Sequence, residues 1–170
     1  WIGLPFTLML GFSAFIIGTV VGLVAGALSA VNQNKWPDYM LVFLVMIGLV
    51  VPNFLMAAIM QLVFGVYLDW FPAGGWRNGS LAHLVLPVTV LVLPHAGRTA
   101  RLMRGSMIEV LGTNYVRTAK SKGLGQRLIL ARHAIKPALL PVVSYLGPGL
   151  SYLLTGSLVV EQVFALPGIG

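Results

Sequence analysis

Residues 1–34 read WIGLPFTLMLGFSAFIIGTVVGLVAGALSAVNQN, with no charged side chain before Lys35. A helix rises 1.5 Å per residue, so about 20 such residues cross the roughly 30 Å hydrocarbon core of a bilayer. Uncharged runs of comparable length recur at 39–68, 78–97 and 137–160. They are continuously apolar rather than alternating, which favours helices over barrel strands, and helices satisfy their own backbone in lipid. The sequence therefore predicts an all-α, polytopic membrane helix bundle. Its spans are expected near 7–31, 39–67, 81–102 and 139–160, within one transmembrane domain covering 1–170.

Composition agrees with this reading. Of the 170 residues, 58% are apolar and 9% charged. Soluble domains carry about 25% charged residues, and a water-soluble fold of this size needs them to cover its surface. A soluble enzyme or free binding module is excluded on that ground. There is no Cys, hence no disulfide, thiolate metal site or cysteine nucleophile. No Gly-x-x-x-x-Gly-Lys-Ser/Thr phosphate loop is present, and the four acidic residues form no pair suited to metal or acid–base work. His83, His95 and His133 are single and far apart. Because the chain starts at Trp1 and ends at Gly170 without a polar tail, it is expected to be a piece of a longer polypeptide. Its first apolar run is expected to be a span rather than a cleavable leader.

The net charge of +7 is not spread evenly: nine of eleven Lys/Arg lie between Arg98 and Lys136. Basic loops face the cytoplasm, which places the loop after the third span inside, together with the loop around Asn32–Asp38. The loop around Asp69–Ser80, with Arg77 alone, then lies outside. Arg98, Arg101 and Arg104 recur every third residue on one side of a helix and mark the inner boundary of the third span, because Arg is costly at the bilayer centre. Asn78-Gly79-Ser80 has the pattern of a glycosylation acceptor, read here as accidental.

Ala14, Gly18, Gly22, Gly26 and Ala30 place a small residue at every fourth position of the first span, a ridge on which another helix can close. Pro52 interrupts the second span and Asn53 adds a polar group at depth. Pro87 and Pro94 fall in the third, and Pro137, Pro141 and Gly147-Pro148-Gly149 in the fourth. Broken helices beside polar residues are typical of a path lined by protein or water. Candidate residues for such a path or its outer gate are Asn53, Ser144, Tyr145, Thr155, Ser157 and Glu161. Glu161 also reads as an interfacial carboxylate with a solvated head, and His95 as either water-facing or packed.

The loop 104–136 is too long for a connector and too basic to enter lipid. Asn114 is expected to cap a short helix over 115–122 that Gly123 ends. Eight residues make about 12 Å of helix, marginal in water alone, so something must hold it. A docking site on a partner would do so, or a lipid surface.

Asn114-Tyr115-Val116-Arg117-Thr118-Ala119-Lys120-Ser121-Lys122-Gly123-Leu124, continued by Arg132-His133-Ala134-Ile135-Lys136-Pro137-Ala138-Leu139-Leu140-Pro141, resembles the cytoplasmic coupling loop of ATP-binding-cassette (ABC) importer permeases. It looks most like the dipeptide/oligopeptide group and its B-type permease. Arg104 to Leu111, Gly48 to Phe54, Trp70 to Trp76 and the closing Val159 to Gly170 fit the same group. The general motif begins Glu-Ala-Ala where this chain has Arg117-Thr118-Ala119, and its proline falls one residue late at Pro137, a variant seen in the peptide group. The resemblance implies a type I ABC importer permease fold, with four spans here of an expected six. It implies a second permease subunit in a heterodimer, two ABC ATPase subunits and an extracytoplasmic peptide-binding protein. The lipid bilayer of a bacterial cytoplasmic (inner) membrane is the implied setting, without nucleic acid or cofactor. The permease would translocate oligopeptides or dipeptides without being an enzyme itself. The ATPase-coupling residues implied are Tyr115, Arg117, Thr118, Ala119, Lys120, Gly123 and Leu124. A related solute such as nickel or glutathione is the alternative cargo. A secondary transporter is the alternative class; it would call for intramembrane carboxylates, absent away from Glu161.

Overall fold

The computed structural model describes residues 3–76 and 80–170; Arg77 and the Asn78-Gly79 part of the acceptor-like triplet lie outside the described residues. All regular structure among the described residues is helical. Helix α1 spans Gly3–Val31, α2 Trp36–Val50 and α3 Asn53–Met60, the last running on through a π-helical stretch, Gln61–Tyr67. Helix α4 spans Ala82–Leu111, α5 Asn114–Ser121 and α6 Gln126–Ile129. A π-helical stretch, Leu130–Ala134, joins α6 to α7, Ile135–Val163.

Helix α4 is the hub of the bundle, packing against α1, α2, α3 and α7. Its closest neighbour is α1, and the small-residue ridge is the reason. Ala14, Gly18, Gly22, Gly26 and Ala30 are all buried. A Cβ on Gly22 would come within 2.6 Å of the Thr99 Cβ, and one on Gly26 within 2.7 Å of the Met103 Cβ. The two backbones meet at a distance no larger side chain permits, and dispersion contact supplies the association. The ridge is thus covered by this chain itself.

Two helical runs are long and apolar enough to cross a membrane, Gly3–Val31 and Gln126–Val163. The segment expected as one span over 39–67 is instead α2 and α3, bent by 107° at Val51-Pro52. Proline cannot donate to the preceding turn and clashes with it, so α2 ends there. Helix α4 contains the expected span 81–102 but falls short of the same hydropathy, because two His, two Pro and Arg98 interrupt it. Three of them, Pro87, Pro94 and His95, are buried by the helices packed around α4, while His83 and Arg98 are partly exposed.

The core divides by depth. Leu10, Met56, Leu91, Leu153, Val160 and Phe164 belong to a cluster at the expected outer half. Ala30, Met103, Met107, Ala138 and Val142 fill the inner half. At the outer end the loop after α3 docks on the end of α7: the Gly75 N–H donates to the Phe164 carbonyl at 2.8 Å. Gln61 Nε2 donates to the Ala73 carbonyl at 2.6 Å. The chain after α7 then turns back, with the Ile169 N–H donating to Thr7 Oγ1 at 3.2 Å.

Candidate functional site

The short helix α5 follows α4 after a break of two residues, Gly112 and Thr113. Thr113 is extended (ψ 155°), and its hydroxyl donates back to the Val110 carbonyl at 2.6 Å. It therefore supplies no side-chain cap to α5. Asn114, expected as the cap, is instead the first helical residue, since the extended backbone that a cap requires falls at Thr113. At the other end Gly123 takes φ +76°. Its N–H donates to the Lys120 carbonyl and that of Leu124 to the Ala119 carbonyl, a Schellman closure that needs a left-handed residue at this position.

What holds α5 is in this chain. Val116 and Ala119 are buried against Ile129 of α6, with Val110 and Leu111 of α4 alongside. Ala119, expected on the contact face, is buried on the α6 side, where its small size admits Ile129, and it also lines a groove between Tyr115 and Leu124. A second tether comes from Pro137. Lacking an N–H, it offers nothing to the His133 carbonyl one turn earlier, and the Tyr115 hydroxyl donates to that carbonyl at 3.1 Å. The other expected coupling residues, Tyr115, Arg117, Thr118, Lys120, Gly123 and Leu124, are exposed, together with Ser121 and Lys122. An open groove of about 340 Å³ runs among Tyr115, Thr118, Lys122, Leu124 and His133. Lys122 supplies its cation, and Arg117, Lys120, Arg127 and Arg132 are exposed elsewhere on the same cytoplasmic segment.

Three residues outside the expected set tie this region to the rest of the bundle. Asp38, at the head of α2, is 2% exposed and meets Arg104 of α4 in a bidentate ion pair. Ser29 of α1 donates to the same carboxylate, and the Asn34 N–H does so at 3.0 Å. Arg104 Nε also reaches Ser29 Oγ at 3.0 Å. The hydrogen-bonded guanidinium holds the Asp38 carboxyl well below the usual carboxylate range, against the opposing effect of burial, while the carboxylate raises Arg104. The available sequence signal was an acid among only four in the chain, placed at the head of a span.

The residues expected along a path do not converge. Ser144 and Thr155 lie with Ser151 on one exposed side of α7, each hydroxyl donating to the carbonyl four residues back. Tyr145 turns inward and its ring stacks on His95, 5.7 Å between centroids. His95 is fully buried, its Nε2 2.9 Å from Thr19 Oγ1, so the packed alternative holds. Ser157 is fully buried and donates to the Leu154 carbonyl. Asn53 begins α3 with its amide beside Gly156 of α7. Glu161 is not a solvated interfacial carboxylate: it is 1% exposed, because residues 165–170 fold over it and the Gly170 N–H donates to Oε2 at 3.0 Å.

Residues 5–170 match the family described as binding-protein-dependent transport system inner membrane component. The chain is 48% identical over 166 residues to the oligopeptide transport system permease protein OppB of Haemophilus influenzae, covering 98% of this chain and 54% of that protein. Identity to OppB of Escherichia coli K12 is 47% over 167 residues, with the same two coverages. It is 42% identical over 168 residues to the dipeptide transport system permease protein DppB of Bacillus subtilis, covering 99% and 54%. The chain spans about half the length of these curated relatives.

Proposed function

The chain belongs to the family of binding-protein-dependent transport system inner membrane components, and from that premise we propose that it is part of the permease subunit of an ATP-driven ABC importer of oligopeptides or dipeptides. In this reading it sits in a bacterial cytoplasmic membrane beside a second permease subunit. Two ABC ATPase subunits engage it from the cytosol, and an extracytoplasmic binding protein delivers the peptide. The chain itself carries no catalytic role.

The observation that carries the reading is α5. An exposed, cationic eight-residue helix is fixed to α6 by Val116, Ala119 and Ile129 and to the turn before Pro137 by Tyr115. It follows a 30-residue helix that packs on most of the bundle. A force applied to Arg117, Thr118 or Lys120 is therefore passed to α4 and α7 rather than absorbed by a loose loop. Closure of the ATPases would move α5, and α4 with the broken α2–α3 pair would convert that motion into alternating access.

The direct test is a cysteine crosslink. The Ser121→Cys variant in the assembled transporter is expected to form an adduct with the ATPase subunit, against the cysteine-free background of this stretch. Absence of an adduct in a complex that hydrolyses ATP would overturn the assignment of α5. Sidedness is tested separately: trypsin outside intact cells is expected to leave the bond after Lys122 uncut.

A further inference from the structure

Arg98 lies six residues before Arg104 on α4, about 9 Å further along the helix axis from the basic loop than the Arg104–Asp38 pair. Helical side chains lean toward the N-terminus of their helix, which for α4 points away from the basic loop. The guanidinium follows that direction instead of returning to the cytosol: its Cζ lies 3.9 Å from the ring centroid of Tyr152 on α7. One turn from Arg98 on α4, His95 carries the stacked ring of Tyr145, whose buried hydroxyl has no hydrogen-bond partner. Tyr152 is 44% exposed and continues the open side of α7 that holds Ser144, Ser151 and Thr155.

Arg98 lies four residues inside the expected end of the span, where a counter-charge is favourable, and the chain has only four carboxylates. Asp38 is taken by Arg104. Glu161 is closed in at the far end of α7. Glu109 lies three turns further toward the cytosol on α4 itself, and Asp69 is in the loop at the opposite face. Among the described residues Arg98 makes no ion pair. The aromatic face of Tyr152 steadies the guanidinium, but no carboxylate among the described residues balances its charge, and its planar fork suits one.

We propose that Arg98, framed by Tyr145 and Tyr152, is a carboxylate-binding station on the translocation path, engaging the free C-terminal carboxylate of the passing peptide. The proposal rests on the peptide-importer reading above. The Tyr145 hydroxyl, beside the same guanidinium, is a second donor for the same group, and the exposed hydroxyls of Ser144, Ser151 and Thr155 continue a polar track along α7.

The test compares trialanine with trialanine amide in proteoliposomes holding the full transporter, each peptide saturating the binding protein. Arg98→Gln is expected to slow ATP-driven uptake of the acid about ten-fold, the scale of a lost charge-assisted hydrogen bond, while the amide changes less than about two-fold. Arg98→Lys keeps the charge and retains most of the acid rate. Tyr152→Leu, which removes the ring that steadies the guanidinium, slows the acid selectively. An acid-to-amide ratio unchanged across these variants overturns the proposal. So does an equal fall for both peptides, the result expected if Arg98 pairs with a neighbouring subunit or a lipid phosphate. Should Arg98→Gln fail to assemble, Tyr152→Leu alone decides by the same ratio. A wild-type complex that takes up neither peptide would instead defeat the importer reading.

Discussion

Arg104 and Asp38 stand 66 residues apart in sequence and meet through two parallel hydrogen bonds of 2.8 Å, Nε to Oδ1 and Nη2 to Oδ2. With Ser29 they pin the end of α1 and the head of α2 to the extension of α4 that leads into α5. Removing Arg104 leaves the buried Asp38 carboxylate without its counter-charge, at a cost of about 3 kcal/mol, whereas removing Asp38 leaves a partly exposed guanidinium and costs less. Asp38→Asn and Arg104→Gln are each expected to lower the thermal midpoint of the detergent-purified protein, and the exchange Asp38→Arg with Arg104→Asp to recover part of the loss. A double variant no better than the singles would contradict a specific pair. Because the native Asp38 carboxyl titrates below its unfolded value, the stability it contributes is fully present above about pH 4 and is lost as the pH falls further. Asp38→Asn should flatten that acid limb.

Gly22 faces Thr99 and the Ala96 carbonyl so closely that a Cβ would stand 2.6 and 2.7 Å away. Gly22→Val must force α1 and α4 apart along their whole contact. A loss of several kcal/mol is expected, read as failure to recover a monodisperse protein from the membrane, whereas Val20→Leu on the exposed side of α1 should be neutral.

Gly123 has open space where a Cβ would go, so the obstacle to a side chain there is its φ of +76° alone. Gly123→Val is expected to cost roughly 1–2 kcal/mol locally and to unwind the end of α5. Peptide uptake should fall while ATP turnover and membrane insertion persist. Unchanged uptake would remove α5 as the lever.

Ala165 occupies the same structural position at the end of α7, with φ +49° and N–H groups of Ala165 and Leu166 donating to Gln162 and Glu161 carbonyls. Here the left-handed residue is not glycine. Ala165→Gly should stabilise the protein by about 0.5–1 kcal/mol, visible as a higher thermal midpoint. A decrease would mean that the Ala165 methyl packs in a way this closure does not require.

Tyr115→Phe removes the hydroxyl that serves the His133 carbonyl. The expected loss is about 1 kcal/mol in how firmly α5 is held, measured as faster tryptic cleavage after Lys122 in inside-out vesicles.

The amino-acid order alone determined that the chain is helical and apolar enough for a membrane, which loops are basic, and where α5 ends. These properties follow from local facts: run length, charge count and the one residue that accepts a left-handed turn. It also marked the small-residue ridge of α1, because period four is written in the sequence. The partner of that ridge, the 107° turn at Pro52 and the burial of Ala119 against Ile129 were decided only when the helices packed. So was the fate of the few charges. Asp38 and Arg104 find each other, Glu161 is sealed by residues 165–170, and Arg98 is left facing Tyr152. A charged side chain in lipid takes whatever partner tertiary contact brings within about 3 Å, and that proximity is a property of the assembled bundle rather than of any segment.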